Sequence, residues 1–166
     1  MDSTFPDWAD WNPSELPLDQ GQAVDATAVA ALLHTPDGRL LLQLRDNRPD
    51  IALPGHWALF GGQMECGESP AGAMARELAE ELSWVPPALH WFTETVQSLP
   101  RARRRIVRRV WYRAELPLSA LPDLRQTEGQ DMRLFTLDEI LRLDQIAPWD
   151  LTAALLMVRR KILFPG

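Results

Sequence analysis

Between Gly61 and Trp84 the chain reads GGQMECGESPAGAMARELAEELSW, and no other stretch restricts the fold as much. Ser69 followed by Pro70 is a helix-capping pair, and SWVPP is a stop, so a helix is predicted from Pro70 to about Leu82. At 100° per residue, Met74, Leu78 and Leu82 form an apolar stripe, and Glu77, Glu80 and Glu81 fall in an adjoining arc of roughly 100°. Such a helix must bury one face while holding like charges at the edge of the core. Glu65 and Glu68 bring the count to five glutamates within seventeen residues, with Arg76 the only cation among them. Like charges at this spacing cost a few tenths of a kcal/mol each in solvent, and more when partly buried. On most surfaces such a run is a solvated face. The preceding Gly61-Gly62 pair changes the reading, because paired glycines let the backbone turn sharply and approach an ion or phosphate. Carboxylate oxygens with a backbone carbonyl are the donors that Mg²⁺ or Mn²⁺ prefers, and a divalent cation turns the repulsion into coordination.

Elsewhere the pattern is strand-rich. VDATAVAALLH and RLLLQLR flank TPDG, which predicts a hairpin of central strands. WALFGG reads as a short strand entering the glycine pair. HWFTETVQSL and RIVRRVWYRAEL, joined by PRARR, predict a second antiparallel pair, and MRLFTL another strand. Thr136 and Glu139 have the form of a capping box opening LDEILRL, and Pro148 starts the last helix. Strands with interspersed helices imply an α/β chain of the α+β type, a mixed sheet covered by helices. At 166 residues and 46% hydrophobic composition, one domain is expected over 23–166. Residues 1–22, interrupted by Pro6, Pro13 and Pro17, read as an extended arm. Its Trp8 and Trp11 could pack on the same domain or on a second subunit, so a homodimer is a candidate assembly.

The formal net charge is -6 and the sequence pI about 5.0, which argues against general attraction to nucleic acid or to an anionic membrane. An anionic ligand would then need a metal or a local arginine cluster. Cys66 is the single cysteine, so there is no internal disulfide framework. The acidic N-terminus lacks a signal pattern, and no apolar run is long enough to span a bilayer. A soluble, cytoplasmic protein is expected.

The order Gly62, five residues, Glu68, seven residues, Arg76-Glu77-Leu78, one residue, Glu80-Glu81, one residue, Ser83-Trp84 resembles the signature of the Nudix hydrolases. It matches every charged position, and departs where Ser83 stands in place of the usual glycine, which puts the helix exit in doubt. The resemblance implies an α/β/α sandwich and a Mg²⁺-dependent (or Mn²⁺-dependent) pyrophosphohydrolase acting on a small nucleoside diphosphate derivative. It implies Glu77 and Glu81 as metal ligands, Glu80 as a further ligand or water-positioning base, and the Gly62 carbonyl as an added ligand. Arg76 and Glu68 would pair to orient the helix against its loop. A base outside the signature is offered by QTEGQD, where Glu128 and Asp131 could reach the site.

Several other residues invite a functional reading. Trp57 and Phe60 could stack on a base, although alternating apolar residues of a short strand are more often core. Arg101, Arg103 to Arg105, Arg108, Arg109 and Arg113 could form an electropositive rim with Arg108 touching phosphate, or a solvated hairpin tip. His34 and His56 have no ligand spacing, and Cys66 is expected to pack. Pro100, sixteen residues beyond Trp84, is similar to a marker in ADP-ribose hydrolysing members. A nucleotide sugar or ADP-ribose is therefore the first substrate expectation, and a nucleoside triphosphate or oxidised nucleotide the second. A non-catalytic nucleotide-binding module stands as the reading from another class.

Overall fold

The computed structural model describes residues 24–99 and 105–163. The N-terminal arm with Trp8 and Trp11, Pro100, and the PRARR turn up to Arg104 lie outside the described residues.

Strand β1 (Ala26–His34) is buried on both faces from Ala28 to Leu33, which only a central strand can be. Val29, Ala31 and Leu33 point into one core, Ala30 and Leu32 into the other. The expected turn follows, with Gly38 at φ 85° and Thr35 N donating to the Arg39 carbonyl at 2.9 Å, and leads into β2 (Leu40–Leu44). The hairpin is narrower than the sequence suggests, because β1 and β2 pair only at His34↔Leu40 and then separate. The chain from Trp57 to Gln63 enters the gap. It pairs with β2 as β3 (Trp57–Ala58) and with β1 through bridges at Phe60 and Gln63. A turn motif fixes where two strands meet but not what fills the space as they diverge.

The second predicted pair is present, with β4 (His90–Leu99) antiparallel to β5 (Arg105–Glu115), and β5 runs parallel to β1 over nine register pairs. The sheet is ordered β3-β2-β1-β5-β4, and β6 (Asp131–Phe135) lies along all of β2. Mixed pairing follows from one tight turn and one long crossover.

Helix α1 (Pro70–Leu82) covers one face, where Met74, Leu78 and Leu82 are fully buried against Val29, Val110 and Tyr112. Burying each such side chain contributes on the order of 2 kcal/mol. The other face is covered by α2 (Leu137–Ile140), opened by the predicted Thr136–Glu139 capping box, and by α3 (Pro148–Leu163). Ile140, Ala153 and Ala154 pack there on Leu42, Trp111 and Phe135. The result is an α/β/α sandwich with a central mixed sheet. No helix among the described residues is long and apolar enough to cross a membrane.

Candidate active site

The site forms where α1 meets the glycine pair. Ser69 caps α1 through its hydroxyl, which accepts from Gly72 N at 3.1 Å, and Pro70 occupies the first turn. Ser83 ends the helix in the left-handed conformation, φ 53° and ψ 27°, so serine adopts the cap that glycine would favour. With both ends fixed, the acidic face is set against β1, β2 and the loop at Gly61.

The three helix glutamates do not share one environment. Glu81 is 5% exposed, and its two oxygens accept from Gln43 Nε2 at 3.1 Å and Gly61 N at 2.8 Å. Burial lifts its carboxyl to about 7, against the pull of those two donors, and the charges of Glu77 and Glu128 add to the rise. Glu77 is also raised, chiefly by burial. It lies so close to Gly62 that a Cβ there would sit 2.5 Å from the carboxylate, so only glycine leaves it room. Glu80, by contrast, has a side chain 58% exposed and turns outward.

Arg76 explains how these acids tolerate one another. Its guanidinium makes five hydrogen bonds: two to the Glu68 carboxylate at 2.7 and 3.0 Å, one each to Glu77 at 2.9 Å and Glu80 at 3.0 Å, and one to the Gln63 carbonyl at 3.2 Å. The fork on Glu68 holds that carboxyl down to about 2. Beyond the expected pairing with Glu68, Arg76 bridges the helix glutamates to the loop carbonyl. Glu65 contributes its backbone N–H to Glu68 at 2.8 Å.

Other candidates divide. Glu128 lines a cavity of about 480 Å³ with Glu81, Gln43, Arg45 and Arg48. Asp131 is exposed at the start of β6 and accepts from Met132 N at 2.9 Å. Phe60 is 0% exposed within the α1 core and presents no ring to a ligand, which corrects its reading as a stacking residue. Trp57 meets Phe135 edge-on at 4.7 Å and lines a separate cavity of about 640 Å³. The Gly62 carbonyl, expected as an added ligand, accepts from Val29 N at 2.9 Å, a sheet bond that uses one of its two lone pairs. Arg108 is bound to Glu94 at 2.6 Å and lines neither cavity. Arg109 is drawn inward, 5.5 Å from both the Trp111 and Trp149 rings, because alternation along β5 turns it toward α3 rather than to a rim. His56 approaches the Pro54 carbonyl at 3.0 Å, and Cys66, expected to pack, is exposed.

As the side chains stand, no three acidic, His or Cys groups among the described residues form a ready cation cage. The donor chemistry nevertheless fits a hard divalent ion. Buried Glu81, half-buried Glu77 and nearby Glu128 are all oxygen donors, and Gly62 leaves the space beside Glu77 clear.

The sequence model of the NUDIX domain matches residues 24–161. This chain belongs to the NUDIX family. The NUDIX domain is similar to the nucleoside triphosphatase NudI of Escherichia coli O139:H28, 41% identical over 56 residues, and to NudI of Salmonella arizonae, 43% identical over the same length. Those matches span 34% of this chain and only 38% of the relatives' own length. Among solved structures, the NUDIX domain of Shewanella oneidensis NrtR complexed with ADP ribose superposes with a TM-score of 0.68 at 25% identity, covering 92% of this chain and 94% of that one. The MutT protein of Methanosarcina mazei Go1 gives the same TM-score at 21% identity over 82% and 94% of the two chains, a likeness of fold alone.

Three residues of this NUDIX site escaped the sequence reading. Gln43 is the lone polar residue of the apolar run LLLQL, and burial at 3% forces it to find partners in Glu81 and the Leu59 carbonyl. That interruption was the available signal. Arg45 follows β2 and is steadied by the Ala52 carbonyl at 2.9 Å, and Arg48 pairs with Asp50 at 2.6 Å. Neither arginine is marked locally, because it is the packing of the β2 end and the loop after it beside α1 that puts both on the wall of the Glu81 cavity.

Proposed function

We propose that this NUDIX domain hydrolyses the pyrophosphate linkage of a nucleoside diphosphate derivative with the aid of a divalent cation, Mg²⁺ or Mn²⁺. One observation carries the reading: a cavity of about 480 Å³ is lined by buried Glu81, exposed Glu128 and Asp46 on one hand and by Arg45 and Arg48 on the other. Acids that need a cation thus face cations that suit phosphate oxygens, and a diphosphate bridged to an ion meets both needs. A bound divalent ion would supply neutralisation of the diphosphate and acidification of a water. Glu77 and Glu81 would hold that ion, with Glu80 reorienting to join them or serving to orient a water. Arg76 keeps the helix carboxylates and their loop in register. Arg45 and Arg48 would orient the phosphates, and Glu128, at the cavity wall, would accept the proton of the attacking water.

A nucleotide sugar or ADP-ribose is the favoured substrate class, supported by the likeness to a NUDIX domain that was crystallised with ADP ribose. A nucleoside triphosphate is the second reading, favoured by the relatives named nucleoside triphosphatase. The non-catalytic nucleotide-binding module remains the contrasting class. A screen of Mg²⁺-dependent hydrolysis over ADP-ribose, nucleotide sugars, dinucleoside polyphosphates and nucleoside triphosphates separates these readings. Turnover that persists in Glu81→Gln, or without a divalent ion, would overturn the mechanism; binding without any turnover would favour the module.

A further inference from the structure

We infer that Arg125 to Gly129 is a bracket fitted onto the end of α1, and that Thr127 is the positioning residue that holds Glu128 at the carboxylate cavity. The inference rests on the hydrolytic reading of that cavity.

A helix leaves its last carbonyls without intrahelical partners. In α1 the carbonyls of three successive residues are taken by this one loop. The Glu80 carbonyl accepts from the Thr127 hydroxyl, the Glu81 carbonyl from Thr127 N at 3.0 Å, and the Leu82 carbonyl from Arg125 N at 2.9 Å. A loop gripping three consecutive carbonyls cannot slip by one residue without losing them all. On its other side the loop is tied to the end of β2: Gln130 N donates to the Leu44 carbonyl at 2.8 Å, and Gln130 Nε2 to the Arg45 carbonyl at 2.7 Å. Between the two anchor points stand only Glu128 and Gly129. Gly129 has φ +84°, and a Cβ on it would lie 2.8 Å from the Leu44 carbonyl oxygen, so the turn admits no ordinary residue.

The bracket therefore transmits the position of the α1 carboxylates to Glu128. Glu81 carries both the cavity carboxylate and the backbone carbonyl that grips Thr127 N, and Glu80 grips the Thr127 hydroxyl. Thr127 is exposed and buries no core surface, so loss of its hydroxyl releases one carbonyl to water without opening the fold. Its consequence falls on the placement of Glu128, whose charge is felt at both Glu77 and Glu81.

Thr127→Val, Thr127→Ser, Glu128→Gln and the double variant Thr127→Val/Glu128→Gln test this, with Glu81→Gln as reference. Steady-state kinetics on the best substrate of the screen, and calorimetric titration with Mn²⁺ alone, are the two readouts. The Thr127→Val variant is expected to lose about tenfold in kcat, a sub-ångström misplacement effect, with KM within about twofold. Serine should restore the rate, valine should add nothing once Glu128 is glutamine, and Mn²⁺ affinity should fall in Thr127→Val and Glu128→Gln alike. Wild-type kcat in Thr127→Val, or an equal further loss in the Glu128→Gln background, overturns the bracket. If Glu81→Gln is inactive but Glu128→Gln turns over normally, the hydrolytic reading survives and this inference fails. An active Glu81→Gln sinks the hydrolytic reading, and the bracket with it. Should no substrate be turned over, unchanged Mn²⁺ affinity in Thr127→Val and Glu128→Gln overturns the inference.

Discussion

Substituting each member of the glycine pair with alanine should produce two different failures. At Gly62 the new Cβ would lie 2.5 Å from the Glu77 carboxylate, whereas ordinary contact begins at 3.4 Å, so the carboxylate must retreat by about 0.9 Å. Glu77 is the end of a flexible side chain, and Gly62 is not among the residues with positive φ, so the fold can absorb the change. The site cannot: a misplacement near 1 Å costs about 100-fold in rate, or about 2.7 kcal/mol in transition-state stabilisation. At Gly61 the Cβ would meet the Val29 carbonyl oxygen at 2.2 Å and the Ala30 Cα at 2.7 Å, both backbone, from a φ of +139°. There the central strand itself must move, and stability should fall by several kcal/mol. Circular dichroism melting and Mg²⁺-dependent kinetics on both variants separate the effects. A Gly62→Ala protein with wild-type kcat/KM, or one that unfolds while Gly61→Ala stays folded, would refute the reasoning.

Three further outcomes are expected. Ser83→Gly relieves a left-handed cap that costs an L-residue roughly 1–2 kcal/mol, offset by about 0.5–1 kcal/mol of glycine backbone entropy, so it should raise stability by up to about 1.5 kcal/mol in denaturant titration. Asp150, buried and accepting from Leu59 N at 2.9 Å, has its carboxyl lifted by burial from 3.8 to about 6, partly opposed by the Arg109 charge. The folded state thus keeps a proton that the unfolded chain releases, and this contribution is full below about pH 3.8 and lost as pH rises through about 6. Asp150→Asn should flatten that window by about 3 kcal/mol relative to wild type, read from urea titrations at stepped pH. Because Glu81 must lose its proton to hold a cation and its carboxyl lies at about 7, Mn²⁺ affinity should strengthen as pH rises through that value, and Glu81→Gln should remove the trend.

The features legible from the order of residues were local and periodic. The Ser69-Pro70 cap, the helix to Leu82 and the second strand pair were legible, because each depends on residues close in the chain or on a repeat of 2 or 3.6, whereas the Arg76–Glu68 pairing followed from the resemblance of the signature. Tertiary structure alone decided the rest. Glu77, Glu80 and Glu81 share an arc on the helix, yet the surrounding elements bury Glu81, cradle Glu77 against Gly62 and leave Glu80 in solvent. For Phe60 the residue type left stacking and core both open, and for Arg109 a phosphate rim or a solvated tip, but the sheet faces they occupy put one in the core and the other between tryptophans. Gln43, Arg45 and Thr127 reach the site across separations of up to 84 residues, from Gln43 to Thr127. Periodicity describes one element's faces; which face meets water, a neighbour or a charge is set by elements that pack from elsewhere in the chain.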